Sequence, residues 1–482
     1  MVLVTASKLN LPQSPSSPPQ ILSANYEPNS RSLALTHSDS TLSLHSSISP
    51  ISQPLATPQT LTLIPSPISS SAFVLLQSNS VTDSGTVEDP RVIFVVASPL
   101  KAGAAVCLRF YALKSSQVFS KVKVICKQKD CVFDDKSGGV VVRVNHGIAV
   151  RLSGSVNVFT MYSVSSSRIW VFALKMASDD GGVGGDGGVV KLMKCAVIEC
   201  KVPVWSICVS YGYLILGEDN GIRVFALRPL VKGHGSKSVM YDTKHKGKPV
   251  KGKHMGHVFK MPNGAASNGG GIVEGGYSKL DDGHEVGAKF IANGMTVESH
   301  CNVHLEQKSN THASVKLRSI RVGHESGMFK SFSILNSASL KSTSTQITTA
   351  KAISIKAMSA NKFLILDSLG NLHLLSLSKL VGSKLNLQMR QLAQFMKVQK
   401  FDVFPGTQTV WLSDGFYTVQ MIILGDVDPA NNESSDHVNE GNPTVTGNQV
   451  IFTSEKIQDV VSLPANAVLI FGQGSTFLYA IS

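Results

Sequence analysis

No apolar run in this 482-residue chain reaches the roughly eighteen residues that a membrane-spanning helix needs, so insertion in a bilayer is not expected. Charge is scarce as well. Only 16% of residues are charged, and the 32 Asp and Glu are outnumbered by 45 Lys and Arg, for a formal net charge of +13. Several of the few carboxylates fall in turns, at Asp219, Asp367 and Asp414. There they are expected to accept hydrogen bonds from nearby backbone N–H groups rather than to act as acids or bases. The patterns that carry common chemistries are missing too. The phosphate loop Gly-x4-Gly-Lys-Ser/Thr fails because Gly247–Lys248 is followed by Pro249 and Gly252–Lys253 by His254. There is no Gly-x-Ser-x-Gly elbow, and His284–Glu285 and His324–Glu325 both lack the second histidine of a His-Glu-x-x-His zinc site. No catalytic residue, no cofactor and no enzymatic activity are therefore expected.

What the chain does have is apolar strand material, with 43% hydrophobic residues, arranged as a repeat. Four stretches end in an aromatic, an alanine, then leucine or isoleucine: Arg109–Leu113, Trp170–Leu174, Arg223–Leu227 and Phe477–Ile481. The clearest unit is Tyr213–Leu227, an apolar strand to Leu216, a turn built from Gly217, Asp219, Asn220 and Gly221, and a second strand from Ile222. Lys362–Leu377, Arg318–Leu335, Thr409–Leu424 and Ala467–Ile481 repeat the pattern, as do Ser32–His45, Val92–Leu113 and Asn157–Leu174 in weaker form. Eight such hairpins are counted. Most follow another short apolar segment, such as Ala72–Gln77, Gly147–Leu152, Val204–Ser210, Ala352–Met358 or Val460–Leu463. Three or four strands per unit, recurring every ~45–65 residues, is the arithmetic of propeller blades.

At Val204–Leu227, with its Ser206–Ile207 strand, its Leu-Gly-turn-Gly step and its Val-Phe exit, the chain resembles the WD40-like propeller family. The resemblance is one of pattern. No Trp-Asp dipeptide occurs, and Phe172, Phe225 and Leu375 stand where the family usually has tryptophan. It implies an all-β propeller; family habit favours seven blades and the hairpin count favours eight. The blades occupy residues 1–230 and 313–482, closing on each other as one domain, with an insertion at 231–312. The last strand, Thr476–Ile481, is expected to pair with N-terminal sequence near Val2–Ala6, which would leave no open sheet edge at the chain ends.

The insertion has a different composition. From Lys232 to Lys260 there are eight lysines and one acidic residue, Asp242, and apolar residues are too sparse to build a core, so disorder is expected. Its centre, KHKGKPVKGK, places Lys244, Lys246, Lys248, Lys251 and Lys253 as candidate contacts to nucleic acid or to a nuclear-import receptor. Lysine without arginine offers no bidentate phosphate grip, and no aromatic is interleaved for base stacking. His254 with His257, and Cys301 with His304 and His300, are loose pairs without the four-ligand spacing of zinc, so no metal is expected. The run Asp179–Gly188 reads as a flexible connection between strands.

Seven cysteines, an odd number and mostly in apolar contexts, indicate reduced thiols and a cytoplasmic or nuclear home. Cys126 with Cys131, or Cys195 with Cys200, would pair only in an oxidising compartment. The first 80 residues hold 20 serines and only Glu27 and Asp39 as acids, but also only Lys8 and Arg31 as bases, unlike an organelle leader. The expected function is a scaffold that binds protein partners within a multi-subunit complex; the alternative is an accessory RNA-binding subunit of a modifying or processing complex.

Overall fold

The computed structural model describes residues 4–9, 11, 20–48, 61–77, 90–128, 130–144, 147–177, 189–219, 221–232, 319–320, 329–333, 350–379, 385–393, 396–425 and 445–481. Strand pairing sorts them into seven sheets, each a blade of a β-propeller. From inner to outer strand, blade 1 is Ile21–Glu27, Ser32–His37, Leu42–His45 and Leu61–Ile64. Blade 2 is Ser70–Leu76, Arg91–Leu100, Ala105–Leu113 and Gly139–Arg143; blade 3 is Val150–Gly154, Val158–Ser163, Arg168–Met176 and Val190–Glu199. Blade 4 is Ser206–Ser210, Tyr213–Glu218, Gly221–Ala226 and Phe329–Ser333; blade 5 is Ala352–Ala357, Lys362–Asp367, Leu372–Lys379 and Leu385–Gln391. Blade 6 is Lys400–Val403, Thr409–Ser413, Thr418–Leu424 and Val445–Phe452. Blade 7 takes Asp459–Leu463, Ala467–Phe471 and Thr476–Ile481 from the C-terminal end and Val4–Lys8 from the N-terminal end. No helix among the described residues is long and apolar enough to cross a membrane.

The expected closure is present, with register Val4↔Ile481 through Lys8↔Phe477. The count of eight hairpins is corrected to seven blades. Arg318–Leu335 is not a hairpin: Ser319–Ile320 lies parallel to Val197–Ile198 at the edge of blade 3, whereas Phe329–Ser333 is the outer strand of blade 4. Its apolar spacing mimics a hairpin because edge strands of two neighbouring blades follow each other in sequence. The other seven hairpins are the second and third strands of the seven blades. All four aromatic-Ala-Leu/Ile signatures finish within two residues of the end of a third strand, in blades 2, 3, 4 and 7.

Each core lies between blades, not within one. The second strand of blade 5 shows why. Phe363 and Ile365 point into a cluster with Ile215, Ile222 and Val224 of blade 4, while Leu364 and Leu366 join Phe401, Val410 and Leu412 of blade 6. Alternate residues of a strand face opposite sides of its sheet, so one continuous apolar run feeds two cores. Seven such clusters occupy the seven junctions around the ring. The junction of blades 7 and 1 joins Leu463, Leu469 and Phe471 to Leu33 and Leu35.

Successive strands of a blade run in opposite directions. The inner-to-second turns and the third-to-outer connections therefore emerge on one face, here called the connection face. The second-to-third turns and the links between blades emerge on the other, the turn face. The long third-to-outer connections, 46–60, 114–138, 177–189, 227–328 and 425–444, all leave and re-enter the blades at the connection face. The run Asp179–Gly188 does connect two strands, since Met176 pairs with Val190 on either side of it. The insertion of blade 4 starts from the short helix Leu227–Lys232, so Val231 and Lys232, the first two residues of the expected disordered span 231–312, are ordered in it; residues 233–318 lie outside the described residues.

Two stability predictions follow from this closure. Deleting 473–482 removes the third strand of blade 7 and the partner of Val4–Lys8 together, and is expected to abolish the cooperative thermal transition seen by circular dichroism. The second concerns His45, 1% exposed in the third strand of blade 1. The Ser43 hydroxyl sits between its Nε2, at 3.2 Å, and Nε2 of His37, at 2.9 Å. Burial, reinforced by His37, pushes the pKa of His45 down from 6.5 to about 4. The unfolded chain thus takes up this proton first. The stabilisation is complete above pH 6.5 and is lost as pH falls towards 4, by at most about 3 kcal/mol. A His45→Gln variant should show a melting midpoint that changes less than the parent's between those limits; parallel profiles would mean that His45 does not titrate in this way.

Candidate interaction surfaces

A channel of about 1080 Å³ runs among the inner strands of all seven blades. The helix residues Arg228, Val231 and Lys232 line it at the connection face. Inner strands have one edge without a strand partner, and backbone groups there need other acceptors and donors. Side chains of the neighbouring blade supply them. The Leu152 N–H donates to Ser70 Oγ at 2.9 Å, joining blades 2 and 3, and the Val209 N–H donates to Ser153 Oγ at 3.0 Å, joining blades 3 and 4. Ser206 Oγ donates to the Ala352 carbonyl at 2.7 Å, joining blades 4 and 5. Lys356 of blade 5 meets Asp402 of blade 6 at 2.9 Å, and the other Asp402 oxygen accepts the Ser462 N–H of blade 7 at 2.8 Å. Asp459 of blade 7 accepts the Ala24 N–H of blade 1 at 2.9 Å. Asp402 raises the pKa of Lys356, and desolvation among the inner strands raises that of Asp459.

Blades 4 and 5 show how local sequence serves these junctions. Gly217 does not turn the chain, as its place beside Asp219 suggested; it sits inside a strand, and Asp219–Asn220 alone separate Glu218 from its partner Gly221. A side chain at 217 would collide with Ser206 Oγ and the Ala352 carbonyl, so glycine permits the close approach of the two blades. Asp219 is likewise corrected. Its carboxylate accepts the Trp205 indole N–H at 2.8 Å, and the Lys351 ammonium lies 4.0 Å from the centre of the Trp205 ring. Asp367 and Asp414 do hold their own turns. Asp367 Oδ1 accepts the N–H groups of Leu369 and Asn371, each at 2.9 Å, and its other oxygen meets His373 at 2.9 Å. Asp414 accepts from Phe416 and Thr418 at 2.8 and 3.1 Å.

The five lysines singled out in the sequence, Lys244, Lys246, Lys248, Lys251 and Lys253, lie outside the described residues, as do His254, His257, His300, Cys301 and His304. The six described cysteines are unpaired. Burial pushes Cys200 and Cys208 up to about 12, which keeps both as thiols. Sequence reasoning missed the junction residues Ser70, Ser153, Ser206, Lys356, Asp402 and Asp459. It also missed an apolar surface on the turn face, where Phe416, Tyr417 and Phe452 stand 51%, 52% and 77% exposed. The available signal for the latter was two consecutive aromatics, Phe416–Tyr417, directly after the Asp414–Gly415 turn.

Seven blades, five of them four-stranded and blades 2 and 3 extended by further edge strands, with the last closed by a strand from each chain end, decide the architecture. The chain has a WD40-like β-propeller fold. No family model and no curated protein matches it. Solved structures similar to it include U3-55K, with TM-score 0.42 and 8% identity over 98% of each chain. The β-propeller domain of Cps50 (Swd1) from Myceliophteria thermophila gives 0.44 and 8%, over 99% of this chain and 100% of that one. The WD40 repeats of RRP9 give 0.42 and 8%, over 99% and 97%. Likenesses this distant carry no argument about what the propeller binds; the blade count rests on the strand pairing.

The junction network is testable. Asp402→Ala strips Lys356 of its counter-ion and the Ser462 N–H of its acceptor, and should cost about 2–3 kcal/mol in denaturant unfolding. Asp402→Asn, which retains an acceptor for Ser462, should lose less. Equal losses would show that the charge of Asp402 matters and its hydrogen bond to blade 7 does not.

Proposed function

We propose that this propeller is a non-enzymatic scaffold that binds protein partners within a multi-subunit complex. The observation that carries the reading is the use made of the channel's polar groups. Ser153, Ser206, Lys356 and Asp402, which line it, and Ser70 and Asp459 of the inner strands are each committed to a neighbouring blade. A ring stapled in this way is a rigid support with two faces. The long connections leave and re-enter the blades at one, and Phe416, Tyr417 and Phe452 stand exposed at the other. The unpaired cysteines fit a reducing compartment, cytoplasm or nucleus.

A second reading, an accessory nucleic-acid-binding subunit, has one observation in its favour. The basic run follows directly in sequence on the helix Leu227–Lys232, whose Arg228 and Lys232 line the channel. On that reading, neutralising Lys244, Lys246, Lys248, Lys251 and Lys253 should flatten the salt dependence of RNA binding. The slope of log K against log salt should fall by about 3–4 units if each lysine meets a phosphate.

The two readings separate in one affinity purification, comparing the full chain with a variant lacking 232–260, with and without nuclease. The scaffold reading expects the same protein partners in every sample. Partners lost both on nuclease treatment and on deletion would replace it with the nucleic-acid reading.

A further inference from the structure

We propose that Cys126 and Cys131 form a peroxide-sensitive dithiol at the seam between blades 2 and 3, with Cys126 as the attacking thiol and Cys131 as the resolving one. This site goes beyond either reading of what the propeller binds. The chain changes sheets here. Val124–Ile125 runs parallel to Val190–Lys191 at the edge of blade 3, and Lys127–Gln128 runs antiparallel to Cys131–Val132 at the edge of blade 2. Cys126 is the residue between the two pairings. Gln128 is paired with Cys131, and side chains two residues apart on a strand share a face, so Cys126 and Cys131 are turned to the same side. The two thiols meet there and hydrogen-bond to each other, with neither in a disulfide.

The surroundings give the two sulfurs different parts. Cys131 is buried in the core between blades 2 and 3, whereas Cys126 is only half-buried. The Lys194 side chain, 4% exposed, comes to the same place from the outer strand of blade 3, and its ammonium meets the Asp130 carboxylate at 2.8 Å. Gln128 fixes that approach: its Oε1 accepts the Lys194 N–H at 2.6 Å, and its Nε2 donates to the Lys194 carbonyl at 3.0 Å. The hydrogen bond from Cys131 holds the Cys126 thiol below its ordinary pKa, and a backbone hydrogen bond from Gln128 and the Lys194 charge act in the same direction, against burial. Cys131 is pushed the other way, first by donating to Cys126 and then by burial. An electron-rich sulfur beside a protonated thiol is what a two-step oxidation needs. The Cys126 thiolate attacks one peroxide oxygen: an S–O bond forms, the O–O bond breaks, and hydroxide leaves to become water with the proton that Cys126 released. The Cys131 sulfur then attacks the sulfenic sulfur: the S–S bond forms, the S–O bond breaks, and water leaves with the Cys131 proton. Two electrons pass from the sulfurs to one hydrogen peroxide, which becomes two waters. A thiol reductant returns the pair by exchange. The disulfide ties the chain leaving blade 3 directly to the edge strand Cys131–Asp134 of blade 2.

The full reduced chain is treated with a small molar excess of hydrogen peroxide, its remaining thiols are alkylated, and tryptic peptides are read by mass spectrometry. Cleavage after Lys123, Lys127, Lys129 and Lys136 puts the two cysteines on separate peptides, 124–127 and 130–136. The expected result is a disulfide between these two peptides, removed by dithiothreitol, in protein that keeps its thermal transition. Cys131→Ser should block the link and leave the sulfenic acid of Cys126 to be trapped by dimedone, at about tenfold or more its level in the parent. Cys126→Ser should give neither product. If Cys131→Ser does not fold, Cys131→Ala takes its place, and the linked peptide of the parent decides the question without any variant. Peroxide that leaves the two peptides unlinked would overturn the proposal, as would a link from either one to Cys195 instead, or a link found only after the thermal transition is lost. Equal dimedone labelling of Cys126 in the parent and in Cys131→Ser would overturn it by removing the resolving role of Cys131. Oxidation of Cys200 and Cys208, which burial raises to about 12, as fast as that of Cys126 would overturn it in favour of unselective attack.

Discussion

A sheet whose strands are apolar on both sides has no interior of its own, and this is the constraint on which the structure depends. Leu33 and Leu35 face blade 7 while Ala34 between them faces blade 2, so a single strand of blade 1 is half of two cores. Neither core exists unless both neighbours are in place. Applied to every blade, the requirement has only a closed solution: a row of such sheets would end in two bare apolar faces. The pairing of Val4–Lys8 with Thr476–Ile481 gives the last blade its fourth strand and couples the chain ends to the ring.

The hydrogen bonds at the channel solve a second problem created by the first. Bringing seven inner strands together around an axis leaves an edge on each that no further strand can cover. Short serine and aspartate side chains from the adjoining blade reach those edges, and Gly217 removes the Cβ that would keep two blades apart. Ser153, Ser206, Lys356 and Asp402 of the channel wall are thus engaged in assembling the ring.

What the sequence made legible follows the same division. Alternating and continuous apolar runs reported the cores, so the repeat, the propeller class and the terminal closure could be read from Tyr213–Leu227 and its siblings. Arg318–Leu335 was misread because periodicity records which residues are apolar, and not which sheet they join; its two halves belong to blades 3 and 4. Asp219 was misread because a turn carboxylate has two kinds of partner within reach, its own backbone and a residue from a distant loop, and Trp205 is fourteen positions away in sequence. The junction serines left no trace, since serine is frequent throughout the chain and its role depends on a strand of another blade.

The two faces are also independent in a way that bears on function. The third-to-outer connections begin at the outer half of a blade and on one face, so their length and composition can vary without touching a junction core. Blade 4 illustrates this: some hundred residues, 227–328, separate two strands that still pair from Gly221↔Ser333 to Phe225↔Phe329. The turns of the opposite face have no such freedom. Gly415, at a φ of 75°, and the backbone ties of Phe416 and Tyr417 hold those aromatics to the blade itself. Chain length can therefore change at one face of the ring while the backbone at the other stays tied to its blade.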